Sequence, residues 1–363
     1  MTFLLSHTTA LEVMRLKRFP LHLAHRDPEL RLPRKAPTSA EVESWASSSP
    51  MVSQLRRPIC LLAATCGASV RNDRFEVRAA STALLAASLI RLDEETAIVS
   101  PELLALELAA TATRLELVLL LCELCGLYAM QPGSDLGLIQ RDAPLTTLEK
   151  LATYARESGR VPGKRALSEA CRSSFELCAS PMEAKLACRV AWPRMHGGYN
   201  VPILGMNSSL EVERISRRFS DSHVRKPDIL LSLPTTAAPG LCLDYNGAVH
   251  ERGVRPMADL ERMNELLAFG MKPYVIGRDQ YRGTSYLDGL VDGVLRKELG
   301  LRAPCHGADR AALELARREA LLAELDVVDG LSWGVSEDAS LVRKAKADVD
   351  EALDRCRAGR KKT

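Results

Sequence analysis

Apolar residues recur along this chain with two spacings, a helical one up to about residue 192 and a shorter, strand-like one after it. Ser100-Pro101-Glu102 sets a capping serine, a proline at the first helical position and an acidic first turn ahead of LLALELAATATRLELVLLLCELCGLYAM. That predicts one or two apolar helices ending near Gly133. TTLEKLATYARESG (146–159) and RALSEACRSSFELC, joined by a turn at VPGK, predict a second helical pair. Ser180, Pro181 and Glu183 repeat the start signal, so a helix is expected from there to about Trp192, before Pro193.

After His196-Gly197-Gly198 the pattern turns extended. KPDILLSLP (226–234), LCLDYNG (241–247) and KPYVIG (272–277) predict strands, with a helix, PMADLERMNELLAFG (256–270), before the last of them. SYLDGLVDGVLRKELG (285–300) predicts a further helix with Leu287, Leu290, Val291, Val294 and Leu295 on one stripe. Helix, strands, helix, strand, helix is the order of an α/β layer. The remaining segments are less patterned. Thr9 to Glu12 predicts a capping box, PTSAEVESWASSSP a linker, residues 57–99 short runs without an assignable topology, and the last sixty or so residues charged amphipathic helix. The expected organisation is a mostly helical region over 1–175, an α/β domain over 176–300 and a charged helical tail over 301–363.

Composition narrows the class. The chain of 363 residues is 46% hydrophobic and 26% charged, ordinary for a folded globular protein and too long for one common core. The most apolar stretch, Leu115 to Met130, carries Glu116 and Glu123, so no membrane span is expected. Ten cysteines lie mostly inside apolar runs, which predicts reduced core thiols and a cytoplasmic location; Cys122 and Cys125 have no second pair at zinc-site spacing. The net charge of +3 says little, but residues 151–226 hold thirteen Lys and Arg against seven Asp and Glu. Arg214, Arg217, Arg218, Arg225 and Lys226 cluster in ERISRRFSDSHVRKPD, either a solvated connector or a patch for a polyphosphate such as nucleic acid.

The candidate chemistry lies on the strands. Asp228 opens one and Asp244 stands near the end of the next, where an alternation of two points Asp244 and Asn246 the same way. If the strands pair, two carboxylates approach each other, and they repel unless a cation or proton lies between them. Mg²⁺ uses one or two carboxylates and completes its shell with waters and phosphate oxygens, which suits phosphodiester hydrolysis. Several of these residues also have a plainer reading: Glu183 as a helix cap, Asp228 as a turn residue, Asn246-Gly247 as a turn pair, and Asp259 with Arg262 as a surface ion pair three residues apart; Asp244 does not, because an unpaired acid inside so apolar a strand is unfavourable.

The run SPMEAKL, RKPDILL, GLCLDYNG, helix, strand resembles the core of the PD-(D/E)xK restriction-endonuclease-like superfamily over about residues 178–300. DYNGAVHE, the helix with Asp259 and Arg262, and FGMKPYVIGRDQ resemble more narrowly the very-short-patch-repair endonucleases. The upstream helices are similar to a leader found in some actinobacterial proteins. The resemblance implies an αβββαβ core, Mg²⁺ or Mn²⁺ as cofactor and DNA as partner, with Asp228 and Asp244 as metal ligands and Glu183 as the acid of the preceding helix. Asn246 stands where the family has its lysine, and an amide holds a water but carries no charge. His250 would then serve as a metal ligand or proton acceptor. Two functions stay open: a metal-dependent DNA endonuclease or nickase, and a non-catalytic DNA-binding or regulatory protein of a defence or toxin–antitoxin-like system. The helical N-terminal region offers a surface for a protein partner.

Overall fold

The structure, a computed structural model, describes residues 2–64, 71–80, 84–134, 137–212, 223–247, 255–304 and 307–360. The chain is mixed α/β and divides into two units, Met1–Ser174 and Phe175–Thr363. Among the described residues no helix is long and apolar enough to cross a membrane.

The first unit is built on a five-stranded mixed sheet. Its strands are β1 (Phe3–Leu5), β2 (Ile59–Ala63), β3 (Phe75–Ala79), β4 (Leu89–Arg91) and β5 (Thr96–Val99), in the order β3-β2-β1-β5-β4. Every residue of β1, β2 and β5 is buried, the signature of strands covered on both faces. The helices are α1 (His7–Met14), α2 (Ser39–Ser48), α3 (Pro50–Ser53), α4 (Pro101–Leu108), α5 (Arg114–Leu124), α6 (Leu148–Glu157) and α7 (Lys164–Cys171); the short hairpin β6 (Tyr128–Met130) and β7 (Leu138–Gln140) lies between α5 and α6. Ser100 caps α4 as its sequence requires, and Cys122 and Cys125 are wholly buried at the end of α5.

Two expectations need correction here. The apolar start of the chain is a strand, so α1 begins after Ser6 and Thr9 sits inside it; the Thr9 hydroxyl accepts from the Cys60 amide (2.9 Å) instead of capping a helix. PTSAEVESWASSSP is no linker. Thr38 and Glu41 form a complete capping box on α2, whose Trp45 stacks on Phe3 with ring centroids 4.3 Å apart.

The second unit places its four-stranded sheet between helices. α8 (Pro181–Ala191) comes first, capped by Ser180 with Pro181 behind it. The strands β8 (Gly205–Met206), β11 (Ile229–Ser232), β12 (Gly240–Asn246) and β13 (Met271–Gly277) are neighbours in that order, and a small pair, β9 (Leu210–Glu211) and β10 (Val224–Arg225), interrupts the path from β8 to β11. β8, β11 and β12 run antiparallel, whereas β12 and β13 are parallel and joined through α9 (Arg255–Ala268). Leu210, Val212, Leu230, Cys242, Leu266 and Met271 form a buried cluster that fixes α9 to the sheet.

After β13 the chain forms α10 (Arg278–Arg282), α11 (Thr284–Leu287), a π-helical segment (Asp288–Leu295) and α12 (Arg296–Glu298). The wider π turn departs from the expected stripe: Leu287, Val291 and Leu295 are fully buried, but Val294 is 38% exposed. α13 (Ala308–Val327) and α14 (Ser340–Arg360) complete the helical C-terminal end. α13 is tied down rather than loose. Arg318 pairs with Asp288 (2.9 Å) and Asp292 (3.0 Å), Arg194 with Glu314 (2.6 Å), and Lys185 of α8 donates to the carbonyls of Leu325 and Val328.

The turn at His196-Gly197-Gly198 lets α13 approach. Gly197 has φ +83°, and a Cβ there would lie 2.3 Å from the Arg317 carbonyl and 2.7 Å from the Leu321 side chain. Gly197→Ala is therefore expected to destabilise the second unit by ~1–3 kcal/mol through strain and overpacking. Denaturant unfolding measures this, and an unchanged midpoint would show that α13 does not pack on the turn.

Candidate active site

The register of the antiparallel pair fixes the geometry. Ile229 faces Leu243 and Leu230 faces Cys242 across β11 and β12, so the next position outward sets Asp228 opposite Asp244. Like charges opposite each other destabilise a sheet, and here the side chains have taken over the ladder. The Asp228 amide donates to Asp244 Oδ1 (3.0 Å), and the Tyr245 amide donates to Asp228 Oδ2 (2.6 Å). Each aspartate thus holds the backbone of the opposite strand. Both lie half-buried at the end of the sheet.

Glu183 enters from α8. Its amide donates to Ser180 Oγ (3.2 Å), while its Oε2 accepts from the Ala179 amide (2.8 Å) and from Asn207 Nδ2 (2.6 Å). The expected capping box is thus only half formed: the carboxylate holds the amide before the cap, Ala179, and also Asn207. Asn207, in a left-handed turn at φ +47°, also donates its amide to the Asp228 carbonyl (3.1 Å) and so links the helix acid to the strand acid. Burial pushes the Asp228 carboxyl up to about 8, reinforced by the charges of Glu183 and Asp244 and opposed by the Tyr245 amide and Arg262. Burial also raises Glu183, with Asp244 adding to it against three hydrogen bonds.

Arg262 supplies the positive charge. From α9 its Nη2 donates to Asp244 Oδ1 (3.2 Å) and to the Lys226 carbonyl (2.7 Å), bridging both acidic strands. This ion pair with Asp244 is the contact shown for Arg262, and the Asp259 side chain of the expected surface pair lies outside what the structure describes. Asn246 is exposed at the end of β12, beside Gly277, so it brings no charge to the aspartates. Lys226 is exposed, and its carbonyl rather than its ammonium engages Arg262.

Arg225 departs from the phosphate-binding expectation. It is only 9% exposed, and its Nε donates to Glu265 Oε2 (2.6 Å), where Glu265 is fully buried; its charge is spent on anchoring α9. Arg214, Arg217, Arg218 and His250 lie outside the described residues. Arg278 and Arg282, which the sequence reading passed over, are exposed on α10 directly after β13. Because β13 is parallel to β12, they stand at the sheet end that carries Asp244, and their charges lower the proton affinity of Tyr245 while burial raises it more.

Among the described residues no group of three or more His, Cys, Asp or Glu side chains is placed to hold a metal ion, so any cation here would rest on the two aspartates. Chemically, the arrangement is a pair of carboxylates with raised appetite for a proton or cation, a fixed guanidinium beside them, and a helix acid close enough to feel their charge. No family model, curated protein or solved structure matches this chain.

A pH signature follows from Asp228. Its proton affinity rises from 3.8 to about 8 on folding, so between those limits the folded state binds more protons than the unfolded one. Its contribution to stability is full below the lower value and is lost as pH rises through the upper one. Asp228→Asn keeps an acceptor for the Tyr245 amide and removes the charge. It should leave the thermal midpoint unchanged near pH 4 and raise it by roughly 2–10 °C at pH 8, on the order of 1–3 kcal/mol. A gain that is the same at both pH values, or a loss at pH 8, would contradict the charge cluster.

Proposed function

We propose that the second unit contains a PD-(D/E)xK restriction-endonuclease-like core and that the protein is a metal-dependent DNA endonuclease or nickase. The observation that supports this most is the juxtaposition of Asp228 and Asp244 across β11 and β12. It occurs in a helix, three antiparallel strands, helix, parallel strand sequence, with Glu183 on the first helix. Two acids at the end of a sheet, each pinned by a backbone amide, are costly to keep together unless a cation is to join them.

The donor set fits a hard divalent ion. Asp228 and Asp244 would hold Mg²⁺ or Mn²⁺, which needs no more than one or two carboxylates when waters and phosphate oxygens fill the remaining positions. When bound, such an ion supplies neutralising charge and a more acidic water. The chain's own groups do the rest. Arg262 places a permanent positive charge beside Asp244, able to offset charge building on a phosphate. Glu183, whose proton affinity is raised, is a proton acceptor or donor at the edge of the site. Arg278 and Arg282 offer exposed cations at the same end of the sheet, and the sequence adds Arg214, Arg217 and Arg218, which lie outside the described residues.

A second reading is favoured by Asn246 and Arg262 together. The motif position carries no cation, and Asp244 already has a positive partner, so a non-catalytic DNA-binding protein on the same fold is the alternative. Supercoiled plasmid incubated with purified protein and Mg²⁺ or Mn²⁺ separates the two. Nicked or linear product is expected, reduced by about two orders of magnitude or more in Asp244→Asn. Equal cleavage by folded Asp244→Asn would refute the nuclease reading. Salt-sensitive, metal-independent binding without cleavage, weakened in Arg217→Ala/Arg218→Ala, would establish the alternative.

A further inference from the structure

The first unit contains a cavity of about 260 Å³ between the sheet and its helices. Leu62, Leu85, Leu103, Leu106 and Val161 give it an apolar wall. Into this wall project His7 at the start of α1, Glu107 on α4 and Tyr154 on α6. The volume lies just below the roughly 300–1,000 Å³ of sites for drug-sized molecules, so it suits a ligand of one or two rings.

Glu107 is the feature that packing does not explain. Its side chain is 9% exposed, its Oε2 accepts from the His7 amide (3.0 Å), and its Oε1 is buried without a partner. A buried polar atom left unsatisfied costs ~1–3 kcal/mol, so its persistence beside a cavity marks a place where something else can complete it. The residue that holds it is itself unusual. His7 adopts φ +49°, a left-handed conformation uncommon for a non-glycine residue, and its Nδ1 lies 3.1 Å from Ser6 Oγ. Tyr154 already has a partner in the Ser88 hydroxyl at 2.8 Å.

The charges around the cavity decide the class of ligand. Burial raises Glu107 to about 8, so it is a neutral acid at pH 7 with an O–H to donate. Burial lowers His7 to about 3, with Arg78 adding to it, so the imidazole is neutral as well. Tyr154 is pushed up to about 12 by burial and stays a phenol. Arg78 on β3 is the cation whose field reaches both Glu107 and His7, and it is paired with Glu76 at 2.9 Å. A positive ligand would meet the Arg78 field, and a negative one would have to compete for that cation with Glu76, whose ion pair leaves Arg78 Nε without a hydrogen bond.

We propose that this cavity binds a small uncharged ring compound whose carbonyl or ring nitrogen accepts a hydrogen bond from Glu107 Oε1, with its apolar body against the leucines. Glu107 is the anchoring group, His7 holds it in place through its amide, and the wall selects by size. The site belongs to the first unit and does not depend on any nuclease reading of the second.

Benzamide is a suitable probe, because it carries one ring and one carbonyl, and titration calorimetry on the full chain reads its binding. Saturable binding is expected at pH 6.5, weakening at least tenfold at pH 9 as Glu107 loses its proton. Glu107→Gln, which keeps a donor, should bind comparably at both pH values; Glu107→Leu should lose at least tenfold. Ala110→Leu, which narrows the cavity without touching Glu107, should weaken binding while circular dichroism shows an intact fold. Absence of saturable binding at millimolar benzamide, undiminished affinity in folded Glu107→Leu, or tighter binding of benzylamine than benzamide would each overturn the proposal.

Discussion

Two carboxylates held face to face on adjacent antiparallel strands are the constraint around which the second unit is arranged. Asp228 and Asp244 each replace a ladder bond with a side-chain acceptor, so the strands stay joined at the point where their charges push them apart. This is a costly way to end a hairpin. The surroundings reduce the cost in two places: Asn207 ties the Asp228 carbonyl and the Glu183 carboxylate into one hydrogen-bonded chain, and Arg262 reaches from α9 to Asp244. Burial first, and then the charges of Glu183 and Asp244 that remain uncompensated, appear as the high proton affinity of Asp228.

Rigid elements carry these groups. α9 is fixed beneath the sheet by Leu266 in the apolar cluster and by the buried pair of Arg225 with Glu265, so Arg262 reaches the acids from an anchored helix. α8, which carries Glu183, is held by Lys185 on the end of α13 and by Arg189, whose guanidinium lies over the Tyr281 ring at 5.2 Å and donates to Thr284 Oγ1 at 3.3 Å. Removing one partner of such buried charges is strongly unfavourable, which makes the helix positions difficult to disturb independently. Arg225 illustrates the consequence: an arginine that looked suited to phosphate is needed for the scaffold instead.

Local signals in the sequence were enough for the elements that frame this site. Ser180-Pro181 and Glu183 set the start of α8, and the period of two with a glycine-stopped helix set β12, α9 and β13, because caps, turns and alternation act over a few residues. Asp228 opposite Asp244 was legible only as a conditional, since it depended on which strands paired. The sheet of the first unit was not legible. Its strands of three to five residues include runs buried on both faces, which carry no alternation and look like pieces of helix. Asn207 and the role of Arg262 were hidden for another reason: their partners lie 24 and 18 residues away, and a turn asparagine or a helix-surface arginine gives no local sign of such a contact.

In the proposed nuclease, the charge that Asn246 does not carry would have to come from a different element, and an arginine there is not equivalent to a lysine. A lysine ammonium is a compact donor whose proton affinity falls readily on burial, so it can both stabilise negative charge and take part in proton transfer. A guanidinium stays protonated across the accessible pH range and offers a planar set of donors suited to carboxylate and phosphate oxygens. If Arg262 takes that role in the proposed nuclease, it sets positive charge beside Asp244, and the capacity to move a proton would fall to Glu183, whose proton affinity burial raises. Electrostatic stabilisation and proton transfer would then be separated between a helix arginine and a helix acid. Exposed Asn246 is the polar end of β12, and the proposed chemistry would rest further in, on the acids and on Arg262 of the helix behind them.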